Sequence, residues 1–367
     1  MVQLLLDRAG LSKSSTICKL AGIVLLAAAC AHAEKHRGQS NIEPGPPDIL
    51  MDGGRRLSYE RSFNSAHDVQ TKRGFWAKFI DIVAGAPEYR ALVRPYDVAV
   101  DSRARLIITD PGAYGVHIFD FAQQKYKFLQ RKDNWKDPMR APQGVAVDSK
   151  DNIYVTDSES GKIFVFDANG KFQHALGSLK GGEGYFKRPT GIAVDSDAER
   201  IYVTDTLRNE VFVLDLSGAV LQKIGQSGTL DGEFNYPTEL LLQKNNVAVV
   251  DAMNFRVQVL DRSGVFQYSV GVKDSGAGMF RPKGIAFDSE GHLYVVEALS
   301  GFVEVFNRQG QLLYYFGQKG TRAGEFQLPS GLAIDRDDRI FVVDSFNRRI
   351  QVFRYVGTGK SSLGGAA

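Results

Sequence analysis

The chain is poor in cysteine, in histidine and in long apolar runs, and each shortage excludes a class of protein. Its 367 residues include two cysteines and six histidines. Cys18 lies in the N-terminal leader and Cys30 at its end, which rules out a disulfide framework. The one sustained apolar run, Leu20 to Ala29, is too short to cross a bilayer in the usual way. A net charge of +3 is too small to name a partner.

The N-terminus has the order of a secretory signal. Basic residues precede the apolar run and small residues follow it, which predicts a signal peptide over residues 1–29. Two processing sites remain open. Cys30, behind three alanines, resembles a bacterial lipobox and predicts a lipid anchor in the periplasm or at the outer membrane. Ala31-His32-Ala33 is an alternative cleavage signal and predicts a free, secreted protein.

Two segments are rich in polar and chain-breaking residues. Residues 30–74 contain Pro44-Gly45-Pro46-Pro47 and show no sustained period, which predicts a flexible tether. Residues 357–367 are rich in glycine and serine and predict a disordered tail.

Proline recurs at a nearly constant interval between these segments. Six times a proline is followed by a short apolar run that ends in an acid or its substitute, at Pro95, Pro142, Pro189, Pro237, Pro282 and Pro329. Successive prolines lie 47, 47, 48, 45 and 47 residues apart. Such an even period is typical of the blades of a β-propeller.

Each repeat contains four short strand-like runs. In the third repeat they begin at Gly191, Ile201, Val211 and Ala219, and turn residues separate them. The first run carries alanine, which suits an inner strand where blades converge. The sequence therefore predicts an all-β, six-bladed propeller of four-stranded antiparallel blades over residues 75–356.

The repeat resembles the NHL repeat. The resemblance is carried by segments such as Gly225 to Pro237 and Gly317 to Pro329, and by Asp-x-x-Asn-x-Arg at Asp251 to Arg256 and Asp344 to Arg349. It implies a six-bladed propeller. The last repeat supplies only three strands, so we expect an N-terminal strand, Phe79 to Gly85, to complete that blade and close the ring.

The acids that end the second strands are interpreted as scaffold. Such carboxylates accept backbone N–H bonds across tight turns and pair with a following arginine. They are Asp110, Asp157, Asp205, Asp251, Glu297 and Asp344.

Two acids depart from the repeat. Asp97 in the first repeat and Glu239 in the fourth stand where the others have glycine, and these blades face each other across a six-bladed ring. They place two carboxylates at the mouth of the central channel, where they can bind a cation or a basic group. Decay of the repeat is the alternative interpretation.

The histidines argue against zinc chemistry. Propeller lyases of the peptidylglycine-amidating type need several axial histidines, whereas His117, His174 and His292 fall in three different kinds of segment. We predict no cofactor, and no nucleophile–base pair can be recognised.

The loops that lead into the first strands are basic in five of the six repeats. Together with two aromatic residues they form the predicted binding rim: Arg94, Trp135, Arg140, Lys187, Arg188, Tyr236, Arg281, Lys283 and Arg322. Some NHL propellers bind RNA through such a face, but the export signal argues against nucleic acid.

We therefore expect an exported, non-enzymatic binding or scaffold module whose only link to the membrane is a lipid at Cys30. Its expected partner is an envelope protein or an anionic glycan or lipid. The alternative is a metal-assisted hydrolase or lyase acting at the channel mouth through Asp97 and Glu239.

Overall fold

The computed structural model describes residues 45–51, 54–69, 90–131, 138–178, 184–271 and 279–357. Strand bounds within each blade reflect the alternation of β-branched and aromatic residues with Asp, Asn and Gly turns. The predicted signal peptide, Cys30 and the tail from residue 358 lie outside the described residues, so these predictions stay open. Within the described part of the chain, no helix has the length and apolar character needed to span a membrane.

Blades one to five are four-stranded antiparallel meanders. The strands of blades one and two are β3 (Asp97–Val100), β4 (Leu106–Asp110), β5 (Gly115–Asp120), β6 (Lys125–Gln130), β7 (Pro142–Val147), β8 (Ile153–Asp157), β9 (Lys162–Phe166) and β10 (Phe172–Leu176). Those of blade three are β11 (Pro189–Asp195), β12 (Arg200–Asp205), β13 (Glu210–Asp215) and β14 (Val220–Ile224). Those of blade four are β15 (Pro237–Gln243), β16 (Asn246–Asp251), β17 (Arg256–Asp261) and β18 (Phe266–Val270). Those of blade five are β19 (Pro282–Phe287), β20 (Leu293–Glu297), β21 (Phe302–Phe306) and β22 (Leu312–Phe316).

Blade six joins the two ends of the chain. Its sheet runs in the order β1 (Ile49–Leu50), β2 (Arg56–Phe63), β25 (Arg349–Val356), β24 (Arg339–Asp344) and β23 (Leu332–Ile334). Short 3-10 helices follow β2 and β16, at Ala66–Asp68 and Ala252–Asn254. The predicted six-bladed, all-β propeller closed by an N-terminal strand is confirmed.

The identity of the closing strand differs from the prediction. The place beside β25 is taken by β2, with Leu57 opposite Tyr355 and Phe63 opposite Ile350. Phe79 to Gly85, expected in that place, lies outside the described residues. β1 and β2 also fall inside residues 30–74, so part of the predicted tether belongs to the propeller. β2 takes this place because it buries both Leu57 and Phe63 against neighbouring blades.

The core consists of six apolar layers, one between each pair of adjacent blades. Leu57 of β2 belongs to the layer between blades five and six, and Phe63 to the layer between blades six and one. The inner strands β3, β7, β11, β15, β19 and β23 contact one another in cyclic order around the axis. Asp97 and Glu239 therefore lie in opposite blades, as predicted.

One face of the disc is built from two sets of connections, which we call the loop face. It comprises the loops that lead into the inner strands and the turns between second and third strands. Backbone hydrogen bonds join the two sets: Thr206 N–H donates to Arg188 O (3.0 Å), and Ala298 N–H donates to Arg281 O (3.1 Å). The remaining turns form the opposite face.

Candidate functional site

The backbone entering the inner strand is held by the acid that ends the second strand. In blade one, Asp110 accepts hydrogen bonds from Val93 N–H (2.7 Å) and Arg94 N–H (3.0 Å). Asp157, Asp205 and Glu297 hold the same two positions in blades two, three and five. These bonds support the scaffold role predicted for the acids.

Blades four and six use the same acid differently. Asp251 accepts from Asn235 N–H (2.6 Å) and from Arg256 Nε (2.9 Å), and Asp344 pairs with Arg349 Nε at 2.7 Å. In these two blades the residue before the proline, Tyr236 or Leu328, has a positive φ. The predicted Asp–Arg pairing is therefore present.

Three arginines alternate with uncharged residues around the channel. The residue before the inner-strand proline is Arg94 in blade one, Arg188 in blade three and Arg281 in blade five, and all three are exposed. Alanine, tyrosine and leucine fill this position in the other blades. Because the backbone of each arginine is held by an acid, the three guanidinium groups extend from fixed points of the loop face.

The other predicted rim residues have varied surroundings. Lys187 is exposed beside Arg188, and Arg140 lies 3.8 Å from Glu159. Arg322 contacts Glu325 at 2.6 Å, and this partner helps lower the pKa of Glu325 to about 2. The charge of Arg322 is thus largely met within its own loop. Trp135 lies outside the described residues.

Lys283 lies further inside than the rim arginines. Its Nζ is 5.7 Å from the ring centroid of Tyr96. Burial lowers the pKa of Lys283 to about 8, and the charges of Arg281 and Arg188 act in the same direction, while Glu239 opposes them. Lys283 therefore lies at the end of the channel rather than on the outer rim.

Asp97 and Glu239 form a carboxyl pair at the end of the channel, in which Asp97 is buried and Glu239 is half-buried. Asp97 is 6 % exposed, and its Oδ2 accepts from Val145 N–H of blade two at 2.9 Å. Glu239 Oε1 accepts from Leu240 N–H at 3.0 Å, and Oε2 has no hydrogen-bond partner among the described residues. Burial raises the pKa of Asp97 to about 7. Burial and the charge of Asp97 raise the pKa of Glu239 well above its ordinary value.

The glycines at this position in the other blades lie against the neighbouring inner strand. A Cβ at Gly191 would lie 2.7 Å from the Cα of Glu239, and one at Gly331 would lie 2.6 Å from the Cα of Asp97. Adjacent inner strands thus approach too closely for a side chain at these two glycines. A Cβ at Gly144 or Gly284 would likewise lie only 2.2 Å from Thr190 O or 2.5 Å from Ser330 O, so all four glycine positions are too tight for a side chain.

The inner strands enclose a cavity of about 350 Å³ on the axis of the ring. Its lining begins at Asp97 and Glu239 and ends near the opposite face at Val100, Gln243 and Ile334. The side chains between these ends are apolar, with alanine from five blades and Leu241 from blade four. The carboxyl pair therefore lies at the loop-face end of a channel whose intermediate side chains are apolar.

The histidines serve separate local roles. His117 is buried, with Nδ1 2.8 Å from Tyr126 Oη and Nε2 3.4 Å from Asp110. His292 pairs with Asp288, which raises the pKa of the imidazole. Across the described ranges, no group of three or more His, Cys, Asp or Glu side chains is placed to hold a metal ion.

The loop face also carries exposed apolar side chains that were not predicted from the sequence. Leu207, Met253, Leu299 and Phe346 each stand two residues after the acid that ends the second strand, in four consecutive blades. They are between 44 and 56 % exposed. The sequence does contain a signal for them, because aligning these four turns by the repeat period places an apolar residue at the same position in each.

Comparison with known families supports the repeat assignment. Residues 139–166 and 326–353 match the model of the NHL repeat, and residues 196–272 match a family described as a 6-bladed beta-propeller. The chain carries NHL repeats arranged as a six-bladed propeller. No curated protein matches its sequence.

Solved structures with the same fold have different roles. A structural genomics protein of unknown function from Bacteroides thetaiotaomicron is 15% identical, with a TM-score of 0.59 over 72% of this chain and 70% of that one. An auxiliary nutrient binding protein from the same organism is 14% identical, with a TM-score of 0.54 over 71% and 69%. Virginiamycin B lyase from Staphylococcus aureus is 13% identical, with a TM-score of 0.53 over 82% and 100%. At these identities the likeness concerns the fold alone.

Proposed function

We propose that the chain is a non-enzymatic binding module that docks an acidic protein segment on its loop face. The observation that carries the proposal is the combination of fixed arginines and exposed apolar side chains on that one face. Exposed bases of the described loop face include Arg94, Lys187, Arg188, Arg281, Lys319 and Arg348, whereas its exposed acids are Glu159 and Asp231. This excess of positive charge favours an acidic partner.

The apolar side chains favour a protein over a glycan or a lipid headgroup. Leu207, Met253, Leu299 and Phe346 continue around blades three to six, with Tyr236 and the 64 % exposed Phe280 beside them. We call these six residues the apolar arc. On the opposite face, by contrast, the described turns expose only two large apolar residues, Leu216 and Val265. Aromatic residues, methionine and arginine are the types enriched in protein interfaces.

Two synthetic probes test the docking surface. We expect a peptide alternating glutamate with leucine to bind more tightly than polyglutamate of equal charge, as measured by fluorescence anisotropy. Arg188→Glu with Arg281→Glu weakens both probes, because both are acidic. Met253→Ser with Phe346→Ser weakens only the leucine-containing peptide, by about tenfold.

Matched controls lie on the opposite face. Lys150→Glu and Val265→Ser make comparable changes in exposed turns there, from a base to an acid and from an apolar side chain to serine, and leave both affinities unchanged. Equal binding of both probes, unaffected by the apolar variants, would identify a polyanion surface that suits a glycan. Absence of binding to either probe would remove the loop face as the site of function.

Export and anchoring at Cys30 are part of the proposal and rest on the leader sequence. We expect mass spectrometry of the mature protein to find an acylated N-terminal Cys30. A free N-terminus at Glu34 would instead identify a soluble secreted protein. Anchoring at Cys30 would keep the propeller in the cell envelope, and an envelope protein is therefore the partner class we propose.

The alternative, a metal-assisted hydrolase or lyase, receives less support. It depends on Asp97 and Glu239, and in the described part of the chain no third histidine, cysteine or acid joins them in a group fit to hold a metal ion.

A further inference from the structure

The axial cavity combines apolar side chains along its wall with two carboxyl groups at one end. We propose that this cavity is a binding site for a small organic ammonium ion, with its apolar body against the alanine wall and its N–H groups on Asp97 and Glu239. The proposal concerns the channel alone and is independent of partner docking on the loop face.

The dimensions and polarity of the cavity suit such a ligand. A volume of about 350 Å³ lies within the range of small-molecule sites. Apolar side chains line the wall, and about half of the accessible surface of the cavity is polar. The polar groups here are two carboxyls from opposite blades, and Glu239 Oε2 lacks a hydrogen bond from the described residues. An ammonium group supplies N–H donors and a positive charge for a pair that repels itself.

The neighbouring charges favour entry from the opposite face. At the loop-face end, Tyr96 and Lys283 interact electrostatically with the carboxyl pair, and Arg188 and Arg281 in turn interact with Tyr96 and Lys283. Three of these four are cationic and repel an approaching ammonium ion. The other end of the cavity is lined by Val100, Gln243 and Ile334, which carry no charge. An organic cation can reach the acids from that side.

Calorimetric titration of the full-length protein tests the site with three probes of similar shape. We use 2-phenylethylamine, the neutral 2-phenylethanol and the anionic 3-phenylpropionate. We expect the amine to bind about tenfold more tightly than the alcohol, and the anion not to bind. Binding of the amine strengthens as the pH is raised from about 6 to about 8, because Asp97 must ionise to pair with it.

Two substitutions locate the binding. Glu239→Gln lowers affinity for the amine toward that of the alcohol, because the amine keeps Asp97 as its only carboxylate partner. Glu239→Gly, which restores the residue of the other blades, has the same effect. Glu159→Gln, the same change at an exposed turn, leaves affinity unaltered.

Three results would overturn the proposal. Equal binding of amine and alcohol would show that the cavity recognises shape alone. Tight binding of Ca²⁺ or Zn²⁺ that blocks the amine and is lost in Glu239→Gln would identify a metal site. No titration signal with a folded wild-type protein would show that the cavity takes no amine, whatever the loop-face probes do.

Discussion

Asp97 and Glu239 impose an electrostatic cost on the folded chain. Both carboxyls lie in the channel with raised pKa values, caused first by burial and, for Glu239, next by the charge of Asp97. In the unfolded chain an aspartate ionises near pH 4. Between about pH 4 and about pH 7 the folded protein therefore keeps a proton that the unfolded chain has released. The free energy of unfolding contributed by this pair falls as pH rises through that window.

Neutral amides at these positions should remove that dependence. We expect Asp97→Asn and Glu239→Gln each to raise the free energy of unfolding near pH 8 by on the order of 2 kcal/mol, and to change it little near pH 4. The amide oxygen can still accept from Val145 or Leu240. Urea unfolding across this pH range measures the effect. If both variants keep the wild-type pH slope, the pair is not the source of it.

The repeat period identifies Asp97 and Glu239 in the sequence, but it does not predict their environment. Asp97 and Glu239 could be predicted as a facing pair because the position in the repeat specifies the blade. The burial of Lys283 beside Glu239 could not, because it depends on how closely six inner strands converge. Arg322 shows the same limit: its pairing with Glu325, three residues away, follows from loop geometry that composition does not reveal.

At the scale of elements, β2 shows why the closing strand was assigned to the wrong segment. Its apolar residues Leu57, Tyr59 and Phe63 all have odd numbers, which indicates a strand with one buried face. A register shift between Tyr59 and Arg61 instead turns the strand, so that Leu57 and Phe63 enter different interblade layers. Phe79 to Gly85 is more apolar and therefore gave the stronger strand signal in the sequence. The contacts that hold β2 in place are not visible there: the ring centroid of Phe63 lies 5.1 Å from that of Phe119 and 5.0 Å from that of Phe121.

The four-stranded blades themselves could be predicted because their signals are local. Strand alternation, turn residues and the acid that ends each second strand all fall within one repeat, and the inner strand pairs with the second in every blade. The loop face is a product of the whole ring instead. Its apolar arc is spread over about 140 residues, from Leu207 to Phe346, and becomes one surface only when blades three to six are assembled.

For the whole molecule, closure of the ring depends on a strand that is remote in sequence from its partner. β2 pairs along β25 from Arg56 opposite Val356 to Phe63 opposite Ile350. Removal of β2 would expose the backbone edge of β25, and the layers that bury Leu57 and Phe63 would lose those side chains. Closure is therefore expected to contribute to both stability and solubility.

Two truncations test the role of this strand. A chain starting at Gly45 retains β1 and β2, and we expect it to melt at the same temperature as the mature protein and to remain monomeric. A chain starting at Asn64 lacks both strands. Loss of two large buried side chains and a strand edge should lower its melting temperature by on the order of 10 °C and promote association through β25, which size-exclusion chromatography detects. Equal melting temperatures and monomeric behaviour for both chains would mean that another segment, such as Phe79 to Gly85, completes blade six when β2 is missing.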